Sequence, residues 1–213
     1  MKIKKIEIII LAIIIFSFIA GFYFYHLLPD KIATHFNIKG EPDGYMSKFF
    51  GIFLIPFLLS ILGILFFLIP RIDPLKSNIE KFKKYYDGFI FINFIFIVFI
   101  QVFIILWNLG IRIRINLFLP VFLGILFFYC GILCENSKRN WFVGIKTPWT
   151  LTSEKVWDKT HKLGGRLFKI AGILTVVGTF FQRYLLFFIL IPLIFIFLYT
   201  MIYSYLEYRK EIK

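Results

Sequence analysis

The side chains with chemical potential in this sequence fall in three places. His35, Glu41 and Asp43 lie between two apolar runs. A histidine and two carboxylates are metal-ligand types, but their spacing matches no strong metal pattern, so a structured cap is expected there and no metal is assigned. His161 lies in a basic stretch further on. Imidazole suits acid–base work, yet no nucleophile, paired carboxylate or Gly-rich phosphate loop accompanies it, so the chain reads as a non-enzyme with no cofactor and no catalytic residue. Asn93 and Gln101 are embedded in an apolar run, about 80° apart on a helix. Hydrogen bonding between helices is the expected use, with substrate contact in a transporter of a hydrophobic or peptide substrate as the alternative. The centres of the apolar runs carry no acid, base or histidine, which weakens any proton-coupled pump.

The elements that must position these groups are membrane helices. The 213 residues are 60% hydrophobic and 21% aromatic with 17% charged, and the mean hydropathy is +0.83, outside the range of soluble domains. Apolar runs at 6–25, 49–69, 88–107, 116–134, 167–181 and 184–205 approach the roughly 20 residues that cross a hydrocarbon core. They predict a single polytopic, all-α integral membrane domain over 1–213 with six transmembrane helices. Arg166 and Arg183 flank the short fifth run and can snorkel. The brief break at Gln182 and Arg183 predicts a tight antiparallel hairpin of the last two helices. Lys2, Lys4 and Lys5 precede the first run without a convincing cleavage site, so it is read as a retained anchor. Gly124 and Gly131 on the fourth run predict a close-packing seam, and Cys130 and Cys134, one turn apart, are packing residues poorly placed for a disulfide.

A net charge of +13 suggests nucleic acid in a soluble protein, but these charges sit in loops and no nucleic-acid motif is present, so no direct contact with nucleic acid is expected. With the amino terminus inside, only Lys31, Lys39, Lys48, Arg112, Arg114 and Arg183 of the 25 basic residues fall outside. The bias predicts a plasma-membrane protein with both termini cytoplasmic and an anionic inner leaflet as its lipid partner.

Two loops are too patterned to be connectors. In the outer one, 27–48, Pro29 and Asp30 are expected to open a short helix with Ile32, His35 and Phe36 on one side. Gly40-Glu41-Pro42-Asp43-Gly44 is turn chemistry. In the inner one, 135–166, Thr147 before Pro148 should be extended, and Thr152 or Ser153 should cap a helix with Glu154 in its first turn. That short amphipathic helix carries Lys155, Lys159, Lys162 and Arg166 on one stripe, with Trp157, His161 and Gly164 on another face. It is expected to lie on the inner leaflet with Trp157 at the interface, or alternatively to dock a partner.

Both loops resemble those of the SdpI family of membrane immunity and signalling proteins. The outer segment, Leu28-Pro29, His35-Phe36, Gly40 to Gly44 and Lys48, resembles a small domain of unknown function found at the front of many members. The inner segment resembles the family's most characteristic stretch in Asn140, Gly144, Thr147-Pro148-Trp149-Thr150, Val156-Trp157, His161 and Gly164-Gly165. Lys146 departs from the family's usual Arg, keeping the charge but losing the bidentate fork. The resemblance implies protection against a secreted membrane-active peptide toxin, and in some members a transcriptional repressor held at the membrane. On this reading a toxin or another envelope ligand is expected to meet the outer loop at His35, Gly40, Glu41, Pro42, Asp43 and Gly44. Partner contact would fall on Asn140, Gly144, Lys146, Thr147, Pro148, Trp149, Thr150, Trp157 and His161.

Overall fold

A computed structural model describes residues 5–212; Lys2, Lys4 and Lys213 of the charge count lie outside them. The protein is helical, with eight α-helices and one hairpin among the described residues: α1 (Lys5–Tyr25), β1 (Lys31–Phe36), β2 (Pro42–Ser47), α2 (Lys48–Ile72), α3 (Lys76–Lys81), α4 (Lys83–Asn108), α5 (Ile115–Asn136), α6 (Pro148–Thr152), α7 (Glu154–Gly178) and α8 (Leu185–Glu211). Five helical segments, Lys5–Tyr25, Lys48–Ile72, Lys83–Asn108, Ile115–Asn136 and Gln182–Glu211, are long and apolar enough to span a bilayer, with mean hydropathies of 2.5 to 3.0. A helix satisfies its backbone internally, which hydrocarbon demands, so apolar runs of this length fold no other way.

The expected fifth span, 167–181, is not among these five segments: residues 167–178 are the second half of α7, and 179–181 lie past its end. This helix runs unbroken from Glu154 to Gly178, so the short helix expected in the loop and the span expected after it are one element. The reason lies in its buried face. Val156, Trp157, Thr160, His161, Gly164 and Gly165 are buried, as are Ala171, Gly172, Thr175 and Gly178, and this one stripe at helical period keeps both halves in register.

The chain forms two compact units. The first comprises 1–67 and 90–119. In it Ile10, Ile52, Leu59 and Phe94 are fully buried, and the Phe18, Phe22 and Tyr25 rings gather round Phe53 at 4.9 to 6.4 Å. The Ser17 hydroxyl donates to Gln101 Oε1 at 2.5 Å, and Gln101 Nε2 donates to the Ser17 carbonyl at 3.0 Å. This joins α1 to α4 as Gln101 was expected to do; Asn93 takes no part in it.

The second unit comprises 68–89 and 120–213. Here α7 and α8 form the expected antiparallel hairpin: Ser153 at the start of α7 donates to Glu211 at the end of α8 at 2.6 Å, Lys159 pairs with Glu207, and Gly178 meets Phe188. Along α5, a Cβ on Gly124 would stand 2.7 Å from the Gly172 carbonyl oxygen, and Gly131 faces Gly165 in the same way. The glycine seam is therefore real, and it brings the backbones of α5 and α7 together. Cys130 and Cys134 are free thiols.

Candidate functional site

The 27–48 loop is a β-hairpin and not a short helix. Lys31 pairs with Ser47, Ile32 with Met46 and Ala33 with Tyr45, with irregular register around His35. Ile32 and Thr34 are β-branched, which favours extended backbone. Burial then fixes the strand: Ile32 lies against Gly51, where a Cβ would collide with it. Asn108 completes the arrangement by bonding both backbone groups of Ala33, accepting its N–H at 2.8 Å and donating to its carbonyl at 3.0 Å. Phe36 packs between Phe103 and Trp107 at 4.9 and 5.1 Å.

The turn falls at 37–41 and not at 40–44. Asn37 Oδ1 accepts from the N–H groups of Lys39 and Glu41 at 2.9 and 3.0 Å, and Gly40 supplies a φ of +78°. Pro42, Asp43 and Gly44 belong to β2. There Gly44 lies opposite His35, where a Cβ would stand 2.8 Å from that of His35. His35 Nδ1 and Asp43 Oδ1 meet at 2.5 Å on an exposed surface, while Glu41 turns away to accept from Asn37 Nδ2 at 3.2 Å. The three expected outer residues thus divide between two contacts.

The second loop folds as a compact unit around two buried polar side chains. Asn140 is fully buried and uses its whole amide. It donates to the carbonyls of Lys138 and Val143 at 2.8 and 2.9 Å and accepts from the N–H groups of Phe142 and Val143 at 3.0 and 2.6 Å. His161 is 1% exposed. Its Nε2 accepts the Ile145 N–H at 2.8 Å, and its Nδ1 lies 2.9 Å from the Trp157 carbonyl oxygen. One nitrogen must accept and the other donate, so the ring is the neutral Nδ1–H tautomer. Loss of water pushes its pKa down to about 4, against smaller upward effects of the Trp157 carbonyl and Asp158. A ring so held stores no proton near neutrality.

Trp157 is fully buried rather than interfacial. It stacks on His161 at 3.8 Å, and its indole N–H donates to the Ser137 carbonyl at 3.2 Å. The buried indole N–H is thereby satisfied inside the loop, where a Trp at the interface would have bonded to water or headgroups. Gly144 passes over this pair with φ +120°, and a Cβ there would collide with the His161 ring.

Thr147 caps α6 from an extended conformation, in a capping box with Thr150 and with Pro148 at the start of the helix. The Thr150 hydroxyl donates to the Ile145 carbonyl at 2.9 Å, and the Thr147 hydroxyl donates to Ser204 on α8 at 3.0 Å. Ser153 caps α7 by accepting the Val156 N–H at 3.2 Å, with Glu154 in the first turn. Trp149 packs on Tyr205 at 5.1 Å. Lys146 is exposed at the rim of a largely apolar cavity of about 530 Å³ that Trp149, Phe168, Ile196 and Thr200 help to line.

Asp73 and Arg139 were missed by sequence reading. Buried Asp73 accepts the N–H groups of Leu75 at 2.6 Å and Trp141 at 2.9 Å. Arg139 donates to the Leu151 carbonyl at the end of α6 at 3.0 Å. Neither a lone aspartate after a span nor an Arg twelve residues before the carbonyl it bonds carries a sequence signal for so distant a partner.

Together these features define a multi-spanning helical membrane protein with a hairpin between its first two spans and a folded polar motif unit at the α7–α8 hairpin. Residues 12–59 match a domain of unknown function, DUF1648, and residues 136–204 match the SdpI/YfhL protein family. The chain is 26% identical over 207 residues to the Immunity protein SdpI of Bacillus subtilis (strain 168), covering 97% of each chain. The likeness to the SdpI family read from the two loops is thereby shown. No solved structure matches the chain.

Proposed function

We propose that this chain is an SdpI-like immunity protein that protects its cell against a secreted membrane-active peptide toxin. The observation that carries the reading is a likeness to an immunity protein along nearly the whole chain, including the stretch that folds into the polar motif unit. In this reading the chain crosses the bilayer six times with both termini in the cytoplasm, the apolar half of α7 being the remaining span. The exposed His35–Asp43 pair meets the toxin, and the motif unit holds α7 and α8 in the state that resists it or offers a face to a cytoplasmic repressor. No bond is made or broken in such a role.

The test is survival of toxin-sensitive cells that express the protein when challenged with membrane-active peptides, beside Asp43→Ala and Trp149→Ala at equal membrane abundance. Selective protection, lost in these variants, is expected. A correctly inserted protein that protects against none of them overturns the reading.

A further inference from the structure

A second cavity, of about 720 Å³, lies where the end of α5 faces the middle of α7. Its polar walls include Glu135, Lys138, Asp158, Lys162, Arg166 and Lys169. Lys162, Arg166 and Lys169 recur at i, i+4 and i+7, which places them along one side of α7. The glycine seam of α5 and α7 ends beside them, since Gly165 lies against Glu135.

The charges in this cavity do not cancel. Glu135 is taken by Lys169 at 2.8 Å, and Asp158 by Lys138 at 3.2 Å. Among the described residues Lys162 and Arg166 have no carboxylate partner, and both line the same cavity. Two uncompensated cations facing a concave, polar space attract an anion, and the guanidinium fork matches the oxygens of a phosphate. The cavity lies where the apolar body of α5 gives way to its polar end at Asn136 and where the charged half of α7 meets its apolar half, the depth at which lipid phosphates lie.

We propose that this cavity is a binding site for an anionic phosphate group, of the class carried by acidic phospholipid headgroups, with Lys162 and Arg166 as its principal contacts. Lys138 and Lys169 raise the local potential while remaining paired with Asp158 and Glu135. The inference does not rest on toxin immunity, and a protein that protects no cell can still carry the site.

The experiment titrates the full-length protein in a neutral detergent, following its thermal stability, with short-chain phosphatidylglycerol, phosphatidylcholine of the same tails, and inorganic phosphate at matched ionic strength. Phosphatidylglycerol is expected to stabilise the protein at lower concentration than phosphatidylcholine. Lys162→Gln/Arg166→Gln should weaken that binding by about tenfold, the scale of a lost charge-assisted hydrogen bond. Lys155→Gln/Arg209→Gln removes the same charge outside the cavity and should leave it unchanged. If inorganic phosphate stabilises too, or competes, the site takes the free anion as well; if it is inert, the headgroup is the source. Equal effects of the two lipids with inert phosphate overturn the site, as does a preference for phosphatidylglycerol that survives the Lys162/Arg166 variant. Should that variant misfold, the lipid and phosphate titrations of the unaltered protein still decide the matter.

Discussion

His161 Nε2 accepts the backbone N–H of Ile145 at 2.8 Å, so the imidazole serves the 135–166 loop as a buried hydrogen-bond acceptor. Protonation would turn that acceptor into a second donor and break the bond. The folded pKa is about 4 against an unfolded value near 6.5. Between the two the unfolded chain binds more protons, so stability is fully present above about pH 6.5 and falls as pH drops toward 4, by about 3 kcal/mol. Unfolding midpoints measured across this window for the wild type and His161→Gln check the assignment. The difference between the two proteins should shrink as pH falls, and a constant difference would refute it.

Gly144 is constrained twice, by a φ of +120° and by the His161 and Trp157 rings over it. Gly144→Ala should cost about 2 to 4 kcal/mol. A double-mutant cycle with His161→Ala separates the causes. If the collision dominates, the cost of the alanine falls in that background; if the backbone dominates, the two losses add.

Asn140 satisfies four backbone groups from one buried amide. Asn140→Ala orphans all of them and should destabilise by about 2 to 4 kcal/mol. Asn140→Asp keeps the acceptors but loses the donors and faces two carbonyls with a charge, so it should be no milder than alanine. Denaturant titration of the purified proteins ranks them.

Five of the six apolar runs were legible as long helices because hydrocarbon leaves the backbone one solution for an apolar run; the ends were less so, since α7 starts at Glu154 within its charged stretch. The hairpin was not. Pro29 and Asp30 suit a helix start and read as one, yet 31–36 pairs with β2, and Asn108, far away in sequence, closes both backbone groups of Ala33; no local pattern encodes that last contact. In the second loop the extended Thr147 and the cap at Ser153 were readable because both follow local rules; the short α6 that Thr147 caps was not. The burial of Trp157 was not, since a Trp beside lysines reads equally as an interface anchor. Its indole N–H is committed to Ser137, twenty residues back along the chain.

The Ser17–Gln101 pair is a reciprocal bond in which each residue both donates and accepts. Gln101→Leu leaves the Ser17 hydroxyl facing an apolar neighbour, and a cycle with Ser17→Ala should return a coupling of about 0.6 to 1.7 kcal/mol, the range for hydrogen bonds between membrane helices. Reversible unfolding in mixed micelles gives the four stabilities. Because Ser17→Ala keeps the backbone carbonyl that Gln101 Nε2 bonds, the cycle reads the hydroxyl bond alone, and a coupling near zero would mean that this hydroxyl bond does not join α1 to α4.

The basic-residue bias predicts that the hairpin turn and the motif unit lie on opposite sides of the membrane, the turn outside. Cys130 and Cys134 are the only cysteines, and replacing both by alanine gives a background for single-site labelling. Lys39→Cys, in the exposed turn, should react with a membrane-impermeant maleimide in intact cells. Lys146→Cys, exposed at the rim of the apolar cavity, should react only after permeabilisation. The opposite pattern would invert the protein in the membrane. It would place the His35–Asp43 pair in the cytoplasm, where a toxin arriving from outside does not meet it first. Reaction of both positions in intact cells would put the two loops on one side and remove the six-span arrangement, because an odd number of crossings separates them when α1 to α5 supply four and the first of these precedes the hairpin.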